Sequence, residues 1–164
     1  MSDETIIVRQ LTAKDVGEAS ELVIRVFNEF VAAEYSAEGV EEFHRYARPD
    51  ALRDRAQGNH LGLLALVQDA IVGVIEVRGQ DHISLLFVDP AYQRQGIARR
   101  LLRRALQISG AVGPGPGEIS VNSSTYAVPI YEKLGFRQAG ERQVVHGIGF
   151  TPMVLRCSDL PGKC

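Results

Sequence analysis

The chain has 164 residues, 45% of them hydrophobic and 23% charged. That balance is the one found in folded globular domains and excludes long disorder, collagen-like repeats and disulfide-rich miniproteins. Lys and Arg number 18 against 20 Asp and Glu, a formal charge of −2, which argues against general binding to nucleic acid or to an anionic membrane.

No apolar run reaches the ~18 residues a membrane span needs, and the opening MSDETIIVRQ lacks the order of a signal peptide, so a cytoplasmic protein is expected. Ile6, Ile7, Val8 and Leu11 predict a first strand, and Thr12 with Asp15 read as the cap and third position of a helix start. Val16, Ala19, Val23, Val26, Phe27 and Phe30 recur at steps of three and four, giving that helix a buried stripe that ends near Val31. A second helical region is expected over 38–56, broken near Pro49. Leu61 to Gln68, Ile71 to Arg78 and His82 to Val88 are apolar runs rich in branched residues. They are separated by Asp69-Ala70 and by Gly79-Gln80-Asp81, the pattern of an antiparallel meander.

Pro90 ends the third of these strands. Ile97, Leu101, Leu102, Ala105, Leu106 and Ile108 then predict a helix that stops at Gly110. The segment GAVGPGPG, from Gly110 to Gly117, reads as a connector. A strand over Ile119 to Val121, a helix from Val128 to Leu134 ended by Gly135, and strands near Phe136 to Ala139 and Val144 to Leu155 complete the order. Residues 1–156 are expected to form one domain and 157–164 a disordered tail. Cys157 and Cys164 both fall in that tail without a CxxC pair, and His44, His60, His82 and His146 lack ligand spacing. Reduced thiols and no metal are therefore expected.

The most informative stretch runs from Val88 through Asp89-Pro90 and Gln93-Arg94-Gln95-Gly96-Ile97-Ala98 to Arg100, joining a strand end to a helix start. A helix N-terminus presents unpaired N–H groups and partial positive charge, so it holds phosphate where the backbone is approachable. Gly96 and Ala98 permit that approach. Five of the chain's 15 arginines (Arg94, Arg99, Arg100, Arg103 and Arg104) lie between 94 and 104 with no acidic residue among them, a concentration of positive field that suits either a polyanionic ligand or an ordinary helix with a solvated basic face. A P-loop is excluded because Ile97 and Ala98 stand where Lys and Ser/Thr are required, and the glycines at 113, 115 and 117 alternate with prolines and precede no helix signal.

At these residues the chain resembles the GNAT N-acetyltransferase superfamily. Gln93-Arg94-Gln95-Gly96-Ile97-Ala98 matches its Q/R-x-x-G-x-G/A signature after the expected strand and turn, and Tyr131-Glu132-Lys133-Leu134-Gly135-Phe136 matches its second signature at a typical separation. The match is specific from about Ile71 to Arg137. The resemblance implies an α/β (α+β) fold, with a mixed, mostly antiparallel sheet flanked by helices and splayed between the strand ending at Val88 and the strand ending near Asn122. Acetyl-CoA would lie in that cleft. Backbone amides of Arg94, Gln95, Gly96, Ile97, Ala98 and Arg99 would hold its pyrophosphate, and the strand groups of Leu86, Phe87 and Val88 its pantetheine arm. An N–H there would polarise the thioester carbonyl. Many members carry Asn three residues before the alanine represented by Ala127. This chain has Ser124 there with Asn122 nearby, and either is a candidate contact for the pantetheine.

The same resemblance implies transfer of an acetyl group to a primary amine of a small molecule or peptide. Tyr131 is then the candidate acid for the departing thiolate, with Tyr126 the substitute. Glu76, a carboxylate among apolar strand residues, is the first candidate base. His82 is the second, in a water relay with Ser84. The two N-terminal helices would wall the acceptor. Between Val26 and His44 there is no Lys or Arg, whereas Glu29, Glu34, Glu38, Glu41 and Glu42 supply carboxylates for a cationic amine, and Tyr35 and Phe43 add aromatic faces. A non-catalytic acyl-CoA-binding regulatory module and a nucleotide-binding protein are the competing readings, and a homodimer is left open.

Overall fold

The computed structural model describes residues 5–109 and 117–156. The expected connector from Gly110 to Gly117, apart from Gly117 itself, and the tail with both cysteines lie outside the described residues. In chain order the elements are β1 (Ile6–Gln10), α1 (Val16–Phe30), α2 (Ala37–Tyr46), α3 (Pro49–Ala56), β2 (His60–Val67), β3 (Ala70–Arg78), β4 (His82–Val88), α4 (Ile97–Ser109), β5 (Glu118–Ser123), α5 (Val128–Lys133), β6 (Arg137–Gln138), β7 (Gln143–Val145) and β8 (Ile148–Arg156). The strands form one sheet in the order β1-β2-β3-β4-β5-β8-β6, with β7 paired to β8. Every pairing is antiparallel except β4 with β5.

Each face of the sheet carries its own core. On one, the α1 stripe and Leu52 of α3 close over Leu64, Leu66, Val74 and Leu85. On the other, Ile97, Leu101, Leu102, Ala105 and Leu106 of α4 cover Leu63, Ala65, Val72, Ile75 and Val77. Burial on both faces is why β2 and β3 read as continuous apolar runs rather than alternating ones. Gly73 lets α4 come close, because a Cβ there would stand 3.0 Å from Ile97 and Leu101 side-chain atoms.

Several local expectations are corrected. The first helix starts at Val16 with Asp15 as its cap residue, and Asp15 caps nothing forward. Its carboxylate instead reaches back to the Thr12 N–H and hydroxyl at 2.8 and 2.9 Å and pairs with Arg9, which stabilises a turn ahead of the helix. The β2–β3 loop is Gln68-Asp69 rather than Asp69-Ala70; both residues have positive φ, the twist that a two-residue hairpin requires. The long strand expected from Val144 to Leu155 is a hairpin, β7 and β8, turned at His146-Gly147 with φ of 52° and 78°. The strand expected over Phe136 to Ala139 shrinks to Arg137–Gln138. The break of the second helical region at Pro49 is observed, with Pro49 at the first turn of α3.

What positions the site is the unequal pairing of β4. Against β3 its register runs from His82 to Val88, but against β5 it consists of His82↔Ser120 and Ile83↔Val121 alone. In the β3 register Ile83 opposes Val77 and Leu85 opposes Glu76, so Ser84 is an extra residue. Such a bulge bends its strand, and here it sits where β4 and β5 part.

Candidate active site

Beyond Ile83 the open side of β4 presents main-chain groups without strand partners. The Asp89 N–H donates to Val72 O at 2.8 Å. Because antiparallel residues alternate between facing the partner and facing away, the backbone of Phe87 points to β3, whereas Leu86 and Val88 point into the gap. Gln93 Nε2 donates to the Val88 carbonyl at 3.1 Å, so the Val88 N–H and both Leu86 groups remain turned to the seam. Phe87 contributes its ring, 5.7 Å from that of Phe43.

The turn after β4 is built by its own side chains. Asp89 accepts from the Ala91 N–H at 2.9 Å and from Arg25 at 3.0 Å. Arg94 and Gly96 have φ of 66° and 79°. A Cβ at Gly96 would meet nothing within 4 Å, so conformation rather than crowding calls for glycine. The Gly96 carbonyl receives the Arg100 N–H at 3.0 Å. Helix geometry therefore leaves the first-turn N–H groups of Ile97, Ala98 and Arg99 without intrahelical partners. Of the nearby arginines, Arg99 donates to the Lys133 carbonyl and Arg100 to that of Ile6, while Arg94 is exposed and makes no hydrogen bond among the described residues.

Across the gap, β5 leads through a turn into α5. Ser124 builds that turn: its carbonyl accepts from the Ala127 and Val128 N–H groups, and its hydroxyl oxygen accepts from Ala127 N–H at 3.2 Å. Asn122 is exposed on β5 opposite Pro152. Two further donors of the turn are satisfied from far away in sequence, since Glu34 accepts from the N–H groups of Thr125 and Tyr126 at 2.8 and 3.3 Å. Tyr126 stacks on Phe30 with centroids 4.8 Å apart. Tyr131 is 5% exposed, its ring edge-on to Phe136 at 5.1 Å. Burial pushes its hydroxyl well above the usual phenol range, which keeps it protonated at neutral pH.

The surroundings of Glu76 correct the expectation of apolar neighbours. The residue is 3% exposed, yet its carboxylate is ringed by donors. Arg55 Nε shares its proton between both oxygens at 3.1 Å, the Tyr46 hydroxyl donates to Oε1 at 3.1 Å, and the Ser84 hydroxyl to Oε1 at 2.6 Å. The Arg55 guanidinium also lies over the Tyr46 ring, 3.6 Å from its centroid. A carboxylate on an inward strand position is held by paired charge and hydrogen bonds rather than left bare. His82 and Ser84 do not form a joint relay: His82 Nδ1 bonds Ser120 Oγ at 2.8 Å at the closed end of the seam, and Ser84 serves Glu76. Burial, then Arg78, holds His82 below the ordinary imidazole range despite Asp81.

The acidic acceptor wall is partly consumed by the fold. Glu34 caps the α5 turn, and Glu42 pairs with Arg45. The aromatic part forms a cluster: Phe43 stacks on Phe27 at 3.9 Å and Tyr35 meets it edge-on at 5.2 Å, the Tyr35 hydroxyl being pushed up to about 12 by burial and then by Glu34. The β7–β8 turn abuts α2, where Ser36 N–H donates to the Gly147 carbonyl at 3.0 Å. Sequence reasoning missed Arg55, Tyr46 and the Glu34 cap, because each acts across helices whose packing no local pattern reveals. Among the described residues no group of three or more His, Cys, Asp or Glu is placed to hold a metal, and no helix is long and apolar enough to cross a membrane.

Residues 31–157 match the family model described as an acetyltransferase (GNAT) domain. The chain is 32% identical over 94 residues to the uncharacterized N-acetyltransferase YafP of Escherichia coli, an alignment covering 57% of each chain. It is 34% identical over 77 residues to the peptidyl-lysine N-acetyltransferase YjaB of Salmonella typhimurium, covering 47% of this chain and 50% of that one. The chain thus spans about half the length of these curated relatives. The structure of the PaiA N-acetyltransferase of Thermoplasma acidophilum in complex with coenzyme A superposes with a TM-score of 0.74 at 21% identity, covering 93% of this chain and 99% of that one.

Proposed function

The chain belongs to the GNAT acetyltransferase family, and from that premise we propose that it transfers the acetyl group of acetyl-CoA to a primary amine of a small molecule or peptide. The observation that carries this reading is the seam left open beyond Ile83, with the N-terminus of α4 following the same strand. Acetyl-CoA as substrate supplies an activated thioester, and the open main-chain groups match an amide-bearing arm. In this reading the amides from Arg94 to Arg99 take the pyrophosphate, Leu86 and Val88 take the pantetheine, and Asn122 supplies a side-chain contact. The Leu86 N–H stabilises the oxygen on which charge develops.

Tyr131 protonates the departing thiolate. Burial makes this phenol a weaker acid than a free one, so the transfer requires that the same dry surroundings also raise the proton affinity of the thiolate. Glu76 accepts the amine proton in preference to His82, whose ring is tied to Ser120 at the closed end. The peptidyl-lysine specificity in the name of YjaB supports an amine acceptor.

Two measurements test the reading. Calorimetry should show acetyl-CoA binding that Gly96→Glu weakens at least ~10-fold, since the new carboxylate faces a polyanion at a backbone site that favours glycine. Release of the CoA thiol should be seen with some member of a panel of primary amines that includes a lysine peptide. Equal binding by the folded variant rejects the pyrophosphate placement, and binding without thiol release across the panel favours a non-catalytic module.

A further inference from the structure

We propose that the Ser84 hydroxyl receives the proton of the attacking amine, handing its own hydrogen to Glu76 in the same step. The inference rests on the reading of Glu76 as base. With 3% exposure, the Glu76 carboxylate is out of reach of a substrate nitrogen, and its approaches are occupied by Arg55, Tyr46 and Ser84. Among the described residues these three side chains are the ones hydrogen-bonded to the carboxylate, and they are the protein's own routes to it.

Two of them are unsuited. A guanidinium has no acceptor lone pair available for an incoming proton. The Tyr46 ring is covered by that guanidinium, and its bond to Glu76, at 3.1 Å, is longer than that of Ser84, at 2.6 Å. Ser84 is only half-buried and is the first residue beyond the last β4–β5 pair. The bulge sets two residues of β4 opposite Glu76, and Ser84 is the one whose side chain bonds the carboxylate. Leu86, whose N–H faces the seam, lies two residues on, about 7 Å along a strand that rises ~3.3 Å per residue. That span accommodates a thioester carbonyl at Leu86 and a nitrogen at Ser84.

The nitrogen lone pair forms the C–N bond, its proton goes to Ser84 Oγ, and the Ser84 hydroxyl proton goes to Glu76 Oε1. Collapse of the adduct breaks the C–S bond, and the thiolate takes the Tyr131 proton. Tyr131 is reprotonated from solvent and Glu76 releases its proton back through Ser84, so amine and thioester become amide and thiol. The charged groups facing Glu76 are Arg55 from α3 and His60 from β2, the latter itself acted on by Arg55 and Arg78, with the Tyr46 hydroxyl from α2.

The test is kcat against pH at saturating acetyl-CoA, using an amine that the wild type acetylates, for Glu76→Gln, Ser84→Ala, Ser84→Thr and the Glu76→Gln/Ser84→Ala double variant. Both single removals should lower kcat ~100-fold and abolish the acidic limb of the profile. The double variant should fall no further, as expected of groups acting as one unit, and Ser84→Thr, which keeps a hydroxyl, should stay within ~10-fold of wild type. Wild-type kcat in Ser84→Ala alongside an impaired Glu76→Gln overturns the relay and leaves Glu76 as base. Wild-type kcat in Glu76→Gln removes the base assignment itself, and the relay with it. Multiplying losses in the double variant also reject a shared path. Should Ser84→Ala lose acetyl-CoA binding, Ser84→Thr decides, and a threonine no better than alanine overturns the proposal.

Discussion

Strand β4 is paired along its whole length on the β3 side, whereas on the β5 side two residue pairs hold it before the strands separate. The β3 side is roofed by α4 and α1 and carries the fully buried Leu63, Leu64, Ile75 and Leu101. The β5 side is bordered instead by a bulge, a polar cluster and turns tied by Glu34. One strand therefore serves two ends. The closed seam supplies the stability that allows main-chain groups at the other to stay unpaired, and those unpaired groups are the ones assigned to the substrate in the proposed function.

If this division holds, the largest effect of a closed-side change is on stability. Leu101→Ala, at a fully buried position against Gly73, should lower the unfolding free energy by ~2–5 kcal/mol in denaturant titration. A loss below about 1 kcal/mol would mean that α4 contributes little to the roof. The counterpart across the gap is Tyr131→Phe, which should leave the melting transition and acetyl-CoA binding unchanged while kcat falls ~100-fold at saturation of both substrates. Unchanged kcat with chemistry rate-limiting would remove Tyr131 as the acid, and a loss confined to KM would assign it to binding.

A smaller effect is expected where the edge of the open seam is fastened. Glu34→Ala strips the acceptor from the Thr125 and Tyr126 N–H groups. Because the site is partly exposed, a cost of about 1 kcal/mol is expected, with faster hydrogen exchange at those two amides. Unaltered exchange would show that the Phe30–Tyr126 stack alone holds the turn.

The smallest effect concerns the closed end of the seam. His82 has its folded pKa lowered chiefly by burial, so the unfolded chain binds the proton first as pH falls, and the folded state loses stability below the ordinary histidine range. His60 shifts in the same direction, burial again leading. The wild-type melting temperature should therefore decline between roughly pH 7 and pH 5, and His82→Asn should shrink the decline. An identical decline in the variant would place its origin elsewhere.

Much of this was legible in the sequence, because its signals are local. The α1 stripe, the meander, the break at Pro49 and the strand-turn-helix unit around Gly96 follow from periodicity, from proline and glycine stereochemistry and from unpaired amides at a helix start. Single-residue features were less so. The turn at His146-Gly147 hid inside an apolar run, since the left-handed conformation of a histidine leaves no mark in composition.

By itself the sequence determined most of the segments that become strands and helices, where a helix start with approachable amides follows a strand, and which tyrosine opens the second motif, each being set within a few residues by chain geometry. The tertiary structure alone decided that Glu76 is a caged carboxylate rather than an apolar one, that His82 and Ser84 part company, and that Glu34 caps a turn 91 residues away. Those contacts depend on how α2 and α3 lie across the sheet and on one extra residue at Ser84. Packing fixes such arrangements through long-range contacts that no local pattern encodes.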